Sequence, residues 1–211
     1  MIPTKEEWNN ALEERHGKKL HKAFSSSTVA VCGLGGLGSN IAIALSRAGV
    51  GKLILIDFDR VDITNLHRQQ YKADQIGMYK TVALAENLKE ISPYISLEIY
   101  RERITEANAT ALLKNAEIVC EAFDNSEAKA MLAEEVLTKM EGKYFVAASG
   151  MAGLYDANRI KTRKITSKFY LCGDEESDVE EGIGLVSSRV MVCAAHQAHM
   201  VLKILANNFE E

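Results

Sequence analysis

Apolar positions recur along the chain in two alternating rhythms. Short continuous runs at Thr28–Cys32 (TVAVC), Lys52–Ile56 (KLILI), 95–100, Glu117–Ala122 and Tyr144–Ala148 have the length and β-branched content of buried strands. Between them, apolar residues three or four apart predict helices over Ser39–Ala48, 78–91, 105–115 and 126–140. Residues 4–23 predict a further helix before the first strand, with Trp8, Leu12 and Leu20 on one face. Gly49 and Gly51 stop the helix that starts at Ser39. Strands alternating with helices of about 10–15 residues predict βαβ units. The expected fold class is therefore α/β, a Rossmann-like, mostly parallel sheet with helices on both faces.

The last third has a different pattern. Residues 157–172 alternate like a hairpin or a pair of C-terminal antiparallel edge strands, and the acidic stretch 173–184 (GDEESDVEEGIG) follows them. A closing helix is expected from Ser187 to Ala206. With no internal repeat, no low-complexity linker and only two prolines, residues 1–211 read as one domain, in which 1–24 form the N-terminal helix and 173–186 a crossing loop.

Composition narrows the possible partners. A net charge of −4 leaves no electrostatic footprint for nucleic acid. The longest apolar runs fall far short of the ~20 residues that span a bilayer, and the charged N-terminus lacks an apolar signal core, so a cytoplasmic protein without membrane contact is expected. Cys32, Cys120, Cys172 and Cys193 form no Cys-x-x-Cys pair, which fits neither a disulfide framework nor a zinc site. Cys32 and Cys120 lie within strand-like runs and are expected to act as small hydrophobes.

The first chemical signal is Gly33-Leu34-Gly35-Gly36-Leu37-Gly38, a G-x-G-x-x-G turn between a strand and a helix. Such glycines let backbone N–H groups approach a phosphate, and the helix N-terminus adds the positive end of its dipole. Asp57, at the tip of the second strand, is placed to accept ribose hydroxyls. These two features alone also fit an NAD-dependent oxidoreductase.

More follows: Asp57-Phe58-Asp59-Arg60-Val61-Asp62-Ile63-Thr64-Asn65-Leu66-His67-Arg68-Gln69-Gln70, then Gly77 with Lys80, and Phe123-Asp124-Asn125. The block D-x-D-x-V-x-x-[ST]-N-L-x-R-Q resembles the signature of the ubiquitin-activating-enzyme-like superfamily, whose small bacterial members are ThiF and MoeB. Gly77 and Lys80 resemble that family's G-x-x-K, and Phe123-Asp124-Asn125 its T-D-N with Phe in place of Thr. The resemblance extends over about residues 15–206 and is nearest to the short, stand-alone ThiF-like proteins of thiamine biosynthesis.

The resemblance implies adenylation, with ATP and Mg²⁺, of the C-terminal glycine carboxylate of a small β-grasp sulfur-carrier protein ending in Gly-Gly. It implies Gly33, Gly35, Gly36 and Gly38 around the phosphates, and Asp57 on the ribose. Asp59, Asn65 and Asn125 would line the nucleotide site, Arg68 and Lys80 would hold the β- and γ-phosphates, and Asp124 would ligate the metal. An arginine from a second subunit completes the phosphate site in the family, and Arg15 occupies that place here, which implies a homodimer.

Simpler roles exist for several of these residues. Arg68 could cap a helix, Lys80 could be a surface lysine, and Asp124 or Asn125 could cap the helix after the buried strand. His67 is expected to have no chemical role, and His196 with His199 lack a third ligand. The chain departs from the family in lacking the two Cys-x-x-Cys pairs that bind zinc in many relatives, so zinc is not expected. It also has no cysteine in the crossing loop, and acidic Asp174, Glu175 and Glu176 flank Cys172, so adenylation without transfer to an enzyme thiol is expected. The oxidoreductase remains an alternative, as do a silent binding module and a tRNA-directed family member. An acidic chain disfavours the tRNA-directed member.

Overall fold

The computed structural model of the chain describes residues 1–178 and 182–207. Among them, seven strands form one sheet: β1 (Thr28–Cys32), β2 (Lys52–Ile56), β3 (Ser96–Tyr100), β4 (Ile118–Glu121), β5 (Tyr144–Ala148), β6 (Lys161–Lys164) and β7 (Phe169–Gly173). Their order is β3-β2-β1-β4-β5-β7-β6, parallel throughout except for the antiparallel β6–β7 pair. Of the two C-terminal strands only β6 is an edge, because β7 inserts parallel to β5 and leaves β6 outside. The exposed Lys161, Arg163 and Lys164 on β6 discourage further pairing at that edge.

The helices are α1 (Lys5–His16), α2 (Lys18–Ser25), α3 (Gly36–Ala48), α4 (Lys80–Ile91), α5 (Ala109–Leu113), α6 (Ser126–Lys139) and α7 (Ser187–Asn207). Strand side chains alternate between the two faces. Val29, Val31, Leu53, Leu55, Ile118 and Cys120 pack with α2, α3, α4 and α7, whereas Ala30, Cys32, Ile54, Ile56 and Val119 pack with α5 and α6. This two-layered burial explains why the strands read as continuous apolar runs.

The helix expected over 4–23 is broken. Gly17 adopts φ 80° and separates α1 from α2, following Arg15 and His16 in the last turn of α1. As a result Leu20 is exposed and Trp8 and Leu12 are only half-buried. The segment 105–115 is helical only over Ala109–Leu113. Helix α3 starts three residues before the expected Ser39, inside the glycine motif.

The sheet order reverses between β1 and β4. In such sheets the crevice beyond the carboxyl ends of the strands at the reversal is where ligands bind. The segments that leave β1, β2, β4 and β5 all converge there.

Candidate active site

The turn after β1 is shaped by what a side chain would strike. A Cβ on Gly38 would overlap the Gly33 carbonyl, and Gly33 itself, at φ 87°, lies against the Ala122 carbonyl. Gly35 is the N-cap of α3 and has no side chain to offer, so the first N–H groups of the helix face the crevice unpaired by a cap. Two side chains fix the turn. Asp57 Oδ2 accepts from the Leu34 N–H at 2.6 Å, and the Tyr71 hydroxyl donates to the Leu34 carbonyl at 2.7 Å.

A cavity of about 500 Å³ opens at this point. Its walls include Gly35 and Gly36 from the turn, Asp57 and Asp59 after β2, Asn65, Arg68 and Gln69 from the following turn, and Lys80 from α4. Asp124 and Lys129 line it from the α6 side, and Ser149, Gly150, Ser177 and Leu185 complete the rim. An adjoining cavity of about 640 Å³ shares Asp57, Asp59 and Phe123 with the first and is lined further by Phe58, Ile104, Asn125 and Met131.

The charges around the first cavity are arranged unevenly. Lys80 is buried, not a surface lysine, and its Nζ donates to Asp59 Oδ2 at 2.8 Å. Arg68 gives one N–H to the Thr64 carbonyl at 3.1 Å, but its buried Nε has no protein acceptor. Burial lowers the affinity of Arg68 for its proton, and the Asp124 carboxylate across the cavity opposes that. Gln69 is buried as well, with an unpartnered Oε1. Burial pushes the Asp57 carboxyl above its ordinary range, against the pull of Lys80 and of the Asp59 and Leu34 N–H groups. The site therefore carries a desolvated cation with a donor to spare, which suits an anion with several acceptor oxygens.

Asn65 Oδ1 accepts from the Asp62 N–H at 3.1 Å and shapes its own turn. Asn125 takes the helix-capping role, accepting from the Ala128 N–H at 2.9 Å, so Asp124 is left exposed on the cavity wall. Arg15 is not part of this assembly within one chain. Helix α1 lies at the other end of the sheet, where Leu12 abuts Gly49 and Pro3 accepts from Tyr94. His67, for which no role was expected, lies within hydrogen-bond reach of the Thr64 and Leu185 carbonyls at 2.8 and 3.3 Å.

Sequence reasoning missed Gln69, although it lies inside the quoted block. It also missed Glu121 and Lys129, whose only signal was a carboxylate within an apolar strand. All four cysteines are free and buried, with burial raising each thiol pKa, that of Cys172 to about 11. Native protein at about pH 7.5 is expected to leave all four unreacted with an aromatic disulfide reagent over minutes, because the thiolate is the nucleophile. Rapid titration of one equivalent would contradict this.

The glycine turn at the strand reversal, the uncapped helix start and a crevice lined by both cations and carboxylates belong to a Rossmann-like α/β protein. The chain belongs to the ThiF family, which matches it over residues 9–211. It is 30% identical over 212 aligned residues to the adenylyltransferase and sulfurtransferase MOCS3 of Dictyostelium discoideum, covering 93% of this chain and 49% of that protein. It is 40% identical over 85 residues to ubiquitin-like modifier-activating enzyme 5 of Caenorhabditis elegans, covering 40% of this chain and 20% of that one. The chain thus spans about half the length of the first of these relatives, and less of the second. Among solved structures, the E. coli tRNA N6-threonylcarbamoyladenosine dehydratase TcdA in complex with AMP matches with TM-score 0.88 at 22% identity, covering 100% of both chains. The ATP complex of the same protein matches with TM-score 0.86 at 22% identity, covering 99% of this chain and 98% of that one. At that identity the likeness is one of fold. No helix among the described residues is long and apolar enough to cross a membrane.

Proposed function

We propose that residues 1–211 form an ATP-dependent adenylyltransferase that activates the C-terminal glycine carboxylate of a small β-grasp sulfur-carrier protein and releases pyrophosphate. The observation that carries this reading is the Arg68 guanidinium, which lines a cavity that also holds Lys80 and faces Asp124, and which donates to one backbone carbonyl, that of Thr64. A dinucleotide would have no terminal phosphate to use that donor. The neighbouring cavity joins the apolar Phe58, Ile104 and Met131 to a polar rim with Glu102, Arg103 and Asn125, which suits a purine, and Asp57 at the junction suits the ribose.

In the reaction a carboxylate oxygen attacks the α-phosphorus, and the bond to the bridging oxygen of the pyrophosphate breaks. Charge builds on the leaving pyrophosphate. Arg68 and Lys80 neutralise it from fixed positions, which is how a preorganised site lowers such a barrier. The α3 N-terminus and its glycines hold the phosphate backbone in line. The donor set also fits Mg²⁺. Among the described residues no three His, Cys, Asp or Glu side chains cluster as a metal cage. One carboxylate, Asp124, combined with phosphate oxygens is the usual way this ion is held. When bound, the ion screens the same phosphate charge. The four buried thiols support adenylation without covalent transfer to a cysteine of residues 1–211.

Helix α1 has no buried residue, and it carries Arg15 at the end of the sheet opposite the cavity. Both features support a homodimer in which Arg15 reaches the site of a second copy. Asp124→Asn is expected to slow the reaction on the order of 100-fold, about 3 kcal/mol, while the protein stays folded. Full activity in that variant would defeat the metal assignment.

The reading as a whole is tested by ATP–pyrophosphate exchange with three additions: a ThiS-type carrier, the same carrier lacking its terminal glycine, and bulk tRNA. Exchange only with the intact carrier is the expected result. Exchange with tRNA alone would assign the chain to the tRNA-directed branch.

A further inference from the structure

Glu121 ends β4 as a carboxylate only 1% exposed, and its surroundings are elaborate. Oε1 accepts from the Phe123 N–H at 2.6 Å and from Lys129 Nζ at 2.9 Å, and Oε2 accepts from the same ammonium at 3.0 Å. The third Lys129 proton goes to the Ala148 carbonyl at 3.0 Å, at the end of β5. Gln197, from α7, donates to the Glu121 carbonyl at 2.9 Å. The Lys129 N–H in turn donates to the Asn125 carbonyl at 3.0 Å, closing the first turn of α6.

These bonds form a ring. It runs from the Glu121 backbone through Phe123, Asp124 and Asn125 into α6 as far as Lys129, and returns through the ion pair. Asp124 is at its apex and gives no capping bond of its own, since Asn125 caps α6. The direction in which the Asp124 side chain leaves the backbone is therefore set by the backbone, and the backbone by the ring. Stability alone does not account for such a pair, because apolar replacements of a buried ion pair are often neutral or stabilising.

We propose that the Glu121–Lys129 pair is a positioning device that aims Asp124 into the phosphate cavity. Lys129 borders the cavity, but its ammonium is taken up by Glu121 and the Ala148 carbonyl, and the pair acts through Asp124. The inference rests on the assignment of Asp124 to Mg²⁺–ATP made above.

The experiment measures ATP binding by calorimetry, in EDTA and across Mg²⁺ concentrations, with thermal unfolding as the check on folding. It compares the wild type, D124N, K129R and the charge-free pair E121Q/K129M. E121Q alone, which keeps an acceptor for the Phe123 N–H, is the second variant should the double one not fold. E121Q, at a residue that does not line the cavity, should bind ATP in EDTA within about 2-fold of wild type, and both it and the double variant should need about 10-fold more Mg²⁺ for half of the metal-dependent gain, as when an outer partner of a metal ligand is lost. K129R, which keeps the ion pair, should recover most of that shift. A folded pair variant with an unchanged Mg²⁺ requirement would overturn the proposal and leave the pair a structural anchor. Equal loss with and without Mg²⁺ would overturn it too. If D124N leaves the Mg²⁺ requirement unchanged, the assignment of Asp124 fails first and takes the positioning role with it.

Discussion

Replacing Arg68 with alanine is expected to lower carrier-dependent ATP–pyrophosphate exchange by about 10²–10³-fold, roughly 3–4 kcal/mol, the usual cost of removing one preorganised donor at developing charge. The size follows from where the side chain stands. Among the described residues its guanidinium forms no ion pair and donates to one backbone carbonyl, so a phosphate would not have to displace a competing carboxylate. Lys80 differs, because Asp59 already accepts from it at 2.8 Å. Removal of Arg68 should therefore cost more than removal of Lys80. The fold should survive, because Arg68 holds only one backbone carbonyl, that of Thr64, and the turn keeps its own Asp62–Asn65 bonds. Steady-state exchange by Arg68→Ala and Lys80→Met, with circular dichroism as the check on folding, measures this. A loss below about 3-fold for Arg68→Ala would leave it only the structural role of holding the Thr64 carbonyl.

The second large effect concerns stability. Gly38→Ala drives a Cβ into the Gly33 carbonyl, with Val31 behind it, and neither backbone segment can yield without disturbing β1. Overpacking of this kind costs typically 1–3 kcal/mol and at a backbone clash more, so a fall in melting temperature of about 6–12 °C is expected. Gly35→Ala provides the contrast. A Cβ there meets only the Gln69 amide nitrogen, at 3.7 Å, on the cavity wall. It should melt near the wild type and lose nucleotide affinity instead. Two glycines of one motif thus separate into one required by the fold and one required by the ligand. Equal melting losses would refute that division.

The sheet was legible where burial on both faces leaves an unbroken apolar run. Thr28–Cys32, Lys52–Ile56 and Tyr144–Ala148 are strands with the bounds read from sequence. The break at Gly17 also had a signal, a glycine after Arg15 and His16, and the spacing of Trp8, Leu12 and Leu20 concealed it. The place of β7 had none, because parallel pairing with β5 is non-local. For the site, Gly35, Gly36, Asp57, Asp59, Asn65, Arg68, Lys80 and Asp124 line one crevice, Asn125 lines the adjoining one, and Arg15 lies at the other end of the sheet. What the sequence did not disclose are the relations between them. Examples are the pairing of Lys80 with Asp59, the facing of Arg68 and Asp124, and the ring closed by Lys129. Each joins segments that meet only at the carboxyl ends of the folded strands.

The most direct measurement is a crystal structure of the protein with Mg²⁺ and a non-hydrolysable ATP analogue. The account predicts β- or γ-phosphate oxygens about 3 Å from the Arg68 guanidinium and Lys80 Nζ, with Asp124 on the metal side of the same phosphates. A triphosphate lying away from all three side chains, or an NAD molecule displacing the analogue from the glycine turn, would contradict it.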